Sequence, residues 1–108
     1  MEIQIQPEEA KQKLGNGQKV VFLDVREQWE YDLARIEGAT LIPLGELQQR
    51  VNELDSESEI IVYCHHGVRS FHATLFLQQM GFAKALNLAG GIDGWSLRAD
   101  PSVPRYQG

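Results

Sequence analysis

The sequence predicts an α/β protein, with a mostly parallel central sheet of about five strands and helices on both faces. Three observations predict it. Short apolar runs alternate with helix-like stretches along the chain. The strongest runs, Val20 to Leu23 and Ile60 to Tyr63, are continuously apolar, as in parallel strands buried on both sides. The size of 108 residues, with 43% hydrophobic and 23% charged side chains, suits one ordinary globular domain over residues 1–108, without a visible linker or repeat.

Ile3 and Ile5 alternate with polar neighbours, so residues 2–5 read as a short first strand. Pro7 suits the first turn of a helix, where its missing N–H is no loss. The stretch PEEAKQKL then places acids early and lysines late, and Gly15 is a natural stop. Val20 to Leu23, ending at Asp24, reads as a buried strand, EQWEYDLA as weakly helical, and ATLIP as a short strand closed by Pro43. Leu44, Leu47, Val51 and Leu54 recur at helical spacing and predict a helix over 44–54 with one buried stripe. Ile60 to Tyr63 is the clearest strand. Ser70 is the expected N-cap of the helix FHATLFLQQM, which Gly81 ends. Ala85 to Leu88 is the last strand, followed by Gly90-Gly91 and a short helix over 92–97; the tail ADPSVPRYQG is expected to lie along the surface.

Charge and composition exclude several function classes. A net charge of −5 and a pI near 5.1 lack the basic surface of a nucleic-acid binder. The acidic start MEIQIQPEEAK has no basic-then-apolar pattern of a signal peptide, and no apolar run approaches the roughly 18 residues of a membrane helix. A single cysteine forms no internal disulfide, which suits a reducing compartment. The expectation is a cytoplasmic protein acting on neither nucleic acid nor membrane.

The stretch YCHHGVRS concentrates the chemistry. Its cysteine, Cys64, ends an apolar strand just before a polar loop, a position that reads as exposed for reaction. A free cysteine is only about 3% thiolate at pH 7, so a nucleophile here needs local stabilisation. In sheets of this kind ligands bind beyond the carboxyl ends of the strands, where both Cys64 and Asp24 fall. Gly67 permits positive φ, letting the N–H groups of His65, His66, Gly67, Val68, Arg69 and Ser70 turn inward as an anion nest. The following helix points its positive end the same way, Arg69 adds a permanent charge, and Ser70 adds a hydroxyl. His65 and His66 read as loop-filling residues, because an adjacent Cys-His-His does not easily wrap one ion; no metal site is expected.

Cys-x-x-Gly-x-Arg-Ser after an apolar strand, LDVREQWEY and IEGATLIPL before it and LAGGIDGW after it together resemble the single-domain rhodaneses (thiosulfate sulfurtransferases), over about residues 3–98. The resemblance implies a ping-pong reaction through a Cys64 persulfide. The sulfane sulfur would come from thiosulfate or a related donor and go to cyanide or a thiol, with no metal or organic cofactor and with Arg69 attracting the donor's sulfonate. Asp24 and Arg26 match the family's Asp-Val-Arg motif as supporting residues, with a plain strand-end ion pair an equal reading. Glu30 and Trp95 match positions that brace and pack the fold. Ala34-Arg35-Ile36 departs from the Gly-His-Ile of many members. Two alternatives stay open. A persulfide carrier serving a partner protein needs the same thiolate. A cysteine-dependent phosphatase or arsenate reductase uses five residues between cysteine and arginine, whereas Cys64 and Arg69 enclose four.

Overall fold

The computed structural model describes residues 3–17 and 19–107. Five parallel strands, β1 (Gln4–Ile5), β2 (Val20–Asp24), β3 (Thr40–Leu41), β4 (Glu59–Tyr63) and β5 (Ala85–Leu88), form one sheet in the order β1-β5-β4-β2-β3. The helices are α1 (Pro7–Gly15), α2 (Gln28–Leu33), α3 (Leu47–Arg50), α4 (Val68–Gln79) and α5 (Gly91–Arg98). Strands β2, β4 and β5 lie centrally, which is why their sequences are mainly apolar, with Asn87 of β5 a buried polar exception.

Alternation along the strands divides the core in two. Phe22, Ile61, Tyr63 and Leu88 face Ala10 of α1 and Ile92 and Trp95 of α5. Leu23, Ile60, Val62 and Cys64 face Leu47 of α3 and Ala73 and Leu77 of α4. Helices therefore cover both faces, as expected. Cys64 continues the parity of Ile60 and Val62, so its side chain belongs to the α3–α4 side.

Three local expectations are corrected. The predicted helix over 44–54 is a 3₁₀ turn (Leu44–Glu46), the one-turn α3 and a second 3₁₀ turn (Val51–Glu53), although its apolar stripe still faces the core. Helix α4 starts at Val68, with Gly67 as its N-cap at φ 105°, so Ser70 stands in the first turn rather than at the cap. The first strand covers only Gln4–Ile5; Met1 and Glu2 lie outside the described residues. The remaining boundaries shift by a residue or two, with Asn16 rather than Gly15 capping α1.

At the end of β2, the Asp24 carboxylate accepts from Arg26 Nε (2.9 Å), Arg26 Nη2 (2.7 Å) and the Arg26 backbone N–H (3.0 Å), with both side chains fully buried. Burial works against the Arg26 charge, but Asp24's hydrogen bonds and negative charge outweigh it and hold the guanidinium firmly protonated. A buried pair of this kind penalises removal of one partner far more than its net contribution. Arg26→Met is expected to lower the unfolding free energy by about 3–5 kcal/mol in urea denaturation. Arg98→Met, which breaks the exposed pair with Glu8, is expected to stay within about 1 kcal/mol of wild type. Equal losses would show that burial is not what makes the Asp24 pair costly to break.

Candidate active site

Cys64 lies one residue beyond β4, and the loop from it to α4 curls around its sulfur. The N–H groups of Gly67 and Ser70 donate to Sγ at 3.1 and 3.3 Å, and the Ser70 hydroxyl lies 3.4 Å away. Ser70 N–H belongs to the first turn of α4, whose unpaired N–H groups carry the positive end of the helix dipole. The thiol is not surface-exposed as its position suggested. Cys64 is 1% accessible and lies at a small cavity of about 170 Å³ lined also by His65, His66, Val68 and Arg69.

The N–H groups point inward because the carbonyls are held from behind. The Cys64 carbonyl accepts from Ile92 N–H (2.9 Å) and the His65 carbonyl from Asp93 N–H (3.1 Å), both in the first turn of α5. The Gly67 carbonyl accepts from Phe71 N–H and from the Asn87 side-chain amide, each at 3.1 Å. This explains the double glycine before α5. Gly91 has φ 63°, and a Cβ there would sit 2.6 Å from the Cys64 carbonyl oxygen.

Arg69 is already paired within the chain. Its two terminal nitrogens grip Glu30 at 2.8 Å each, a bidentate pair. Burial pushes the Glu30 carboxyl up, but the Arg69 guanidinium, the Glu27 N–H and the Tyr106 hydroxyl outweigh it and bring the group down to about 2. Tyr106 donates to Glu30 Oε1 (2.8 Å) and accepts from Arg26 Nη1 (2.8 Å). A continuous chain thus runs Asp24–Arg26–Tyr106–Glu30–Arg69, joining the supporting pair to the loop arginine.

The tail does more than cross the surface. Tyr106 stacks on the His65 ring at 4.0 Å between centroids, and His65 stacks on His66 at 3.9 Å. His65 is buried, and desolvation, followed by repulsion from His66, lowers its pKa from the ordinary histidine value. Ligand atoms of His65, His66 and Asp93 lie within 4.8 Å of one another. The two imidazoles are stacked on each other, and Arg105 holds Asp93 at 2.8 Å. Trp95 packs edge-on against Phe22, Arg35 is exposed against Tyr31, and His72 is exposed on α4. The sequence reading missed the pairing of Glu30, the closing role of Tyr106 and the part played by Asn87. Glu30 sits in a recognised motif, but Tyr106 and Asn87 carry no local pattern that announces them.

Two measurements check this geometry. Gly91→Ala is expected to cost on the order of 2–4 kcal/mol, from the positive φ together with the carbonyl contacts. Near-wild-type stability in thermal unfolding would contradict the close approach. For Glu30, a carboxyl lowered in the folded state stabilises it fully above the unfolded value near 4.5, and that contribution is lost as pH falls toward about 2. Urea-unfolding free energy is therefore expected to decline over this window, and more steeply for wild type than for Glu30→Gln. Parallel profiles would remove Glu30 from the acid response.

The family model described as Rhodanese-like domain matches residues 6–98. The Putative sulfur carrier protein YrkF of Bacillus subtilis is 41% identical over 93 residues, 86% of this chain, and the chain spans 50% of that relative's length. A protein named Sulfurtransferase from Allochromatium vinosum is 31% identical over 100 residues, covering 93% of this chain and 94% of that protein. The crystal structure of a rhodanese-related protein from Thermoplasma volcanium has a TM-score of 0.84 at 29% identity, covering 96% of this chain and 99% of that one. The parallel sheet, the thiol at its carboxyl edge and the matched span agree: the chain belongs to the rhodanese-like domain family.

Proposed function

We propose that the chain is a sulfurtransferase that carries a sulfane sulfur on Cys64. The observation that carries this reading is the Cys64 sulfur facing the Gly67 and Ser70 N–H groups at the start of α4, a cradle suited to negative charge on sulfur. The Cys64 thiolate attacks the outer sulfur of thiosulfate, the S–S bond breaks toward the sulfonate, and sulfite leaves with the electron pair. Cyanide or a thiolate then attacks the outer sulfur of the resulting persulfide, forming thiocyanate or a new persulfide and restoring the Cys64 thiolate. The inward N–H groups of His65 through Ser70 serve the persulfide anion in this scheme.

Arg69 has a narrower role than an open anion clamp, since Glu30 takes its two terminal nitrogens and offsets its charge. It braces the cavity wall and contributes its remaining donor edge to the sulfonate. The one-residue-shorter loop and this engaged arginine both favour sulfur over phosphate chemistry. The carrier reading has an observation of its own. A cavity of about 400 Å³, walled by Gln4, Val68, Phe71 and Ala89, adjoins the thiol cavity across His66 and Val68, which is more room than cyanide needs. A partner protein or larger thiol as acceptor fits that space. The single thiol, kept reduced for this work, suits the cytoplasm.

Intact-protein mass before and after thiosulfate tests the proposal. Wild type is expected to gain one sulfur atom and to release thiocyanate with cyanide, and Cys64→Ser to do neither. A gain only from a protein or small-thiol persulfide would move the function to the carrier; no gain from either would overturn sulfur transfer. Arg69→Ala is expected to lower kcat/KM for thiosulfate roughly tenfold or more, the scale of one charge-assisted hydrogen bond. An unchanged value would remove Arg69 from the donor site.

A further inference from the structure

Ser70 and Asn87 form a buried pair behind the sulfur, with 0% and 1% of their surfaces accessible. The Ser70 oxygen lies 2.5 Å from Asn87 Oδ1 and 3.4 Å from Cys64 Sγ, but its hydroxyl has one proton. The amide orientation decides where that proton goes. Asn87 Nδ2 lies 3.1 Å from the Gly67 backbone carbonyl and 3.2 Å from Gln4 Oε1. A backbone carbonyl only accepts, so the nitrogen must face it and Oδ1 must face Ser70. The Ser70 proton is therefore donated to Asn87, and toward Cys64 the hydroxyl presents a lone pair.

We propose that Asn87 is a positioning residue that withholds the Ser70 hydroxyl proton from the Cys64 thiolate and thereby disfavours the free thiolate relative to the thiol and the persulfide. In the thiol the chain closes: Cys64 S–H donates to Ser70 Oγ, and Ser70 O–H donates to Asn87 Oδ1. When the thiol proton leaves to solvent, either a Ser70 lone pair faces the sulfur anion or the hydroxyl turns and leaves Asn87 Oδ1 buried without a donor. Both are costly. After sulfur uptake the charge resides on the outer sulfur, Sγ is a neutral divalent atom, and Ser70 keeps its bond to Asn87. The same Asn87 side chain holds the Gly67 carbonyl, so one residue both aims the loop and sets what the hydroxyl offers.

The proposal rests on Cys64 as the sulfur-carrying nucleophile, but its test needs no sulfur donor and so fails separately from sulfur transfer. The ultraviolet absorbance of the thiolate is titrated against pH in wild type, Ser70→Ala, Asn87→Ala and the double variant, with Cys64→Ser subtracted. The other charged or titratable groups around the sulfur are His65, His66, Arg69 with its partner Glu30, Tyr106 from the tail and Asp93 from α5. All are common to the four proteins. Ser70→Ala alone is expected to leave the ionisation midpoint unchanged or slightly lower. In the Asn87→Ala background, where the hydroxyl is free to donate to sulfur, the same change is expected to raise it by roughly 1 pH unit. A similar rise in both backgrounds would show that the hydroxyl already serves the thiolate and would overturn the proposal. Should Asn87→Ala fail to fold, Ser70→Ala decides alone: a rise of about 1 pH unit overturns the proposal, and no rise supports it.

Discussion

The site depends on one constraint: the carbonyls of the Cys64 loop are held on the side away from the sulfur. A loop has as many acceptors as donors, and nothing intrinsic makes it show only donors to a reacting atom. Here the first turn of α5 supplies N–H groups that would otherwise lack partners, and these take the Cys64 and His65 carbonyls. Asn87 takes the Gly67 carbonyl in addition to Phe71. One helix start thus stabilises the back of the loop while another, at α4, faces the sulfur. The close packing this requires leaves no room for a side chain at Gly91.

A polar chain supports this arrangement from the other side. Asp24 fixes Arg26, Arg26 fixes Tyr106, and Tyr106 with Arg69 holds Glu30. Each member is buried or half-buried, so each needs its neighbour more than a surface residue would. The strand end, the second helix, the loop and the tail are consequently coupled through hydrogen bonds rather than through apolar contact alone. Burial also keeps the Tyr106 hydroxyl protonated, with its pKa raised to about 12, so the chain holds its donors across the neutral range.

The strands are legible in the sequence because central parallel strands are apolar throughout, and the runs at Val20 and Ile60 stand out against polar flanks. The nucleophile and its loop are legible because cysteine, glycine, arginine and serine follow one another locally. The start of α4 is not, since a glycine cap leaves no side-chain signature and Ser70 mimics one. Burial of Cys64 is hidden by a polar neighbourhood, although the parity of Ile60 and Val62 already places it on a covered face. The Arg69–Glu30 pair spans 39 residues and the Tyr106–Glu30 pair spans 76, so neither follows from local pattern. Such long-range polar contacts depend on how the elements pack, which periodicity does not reveal.

The parity of β4 also fixes what length changes the fold tolerates. Cys64 reaches the α3–α4 side only because it stands an even number of residues from Val62 and Ile60. Removing or adding one residue between Glu59 and Cys64 would swing the thiol to the opposite face, toward Trp95 and Ile92, leaving the donor cradle empty while the chain still carried every residue of its motif. Length changes that keep the site intact are thus confined to the connections outside this strand. A sequence keeping the motif but shifted in that spacing would have the signature of the site without its reactivity.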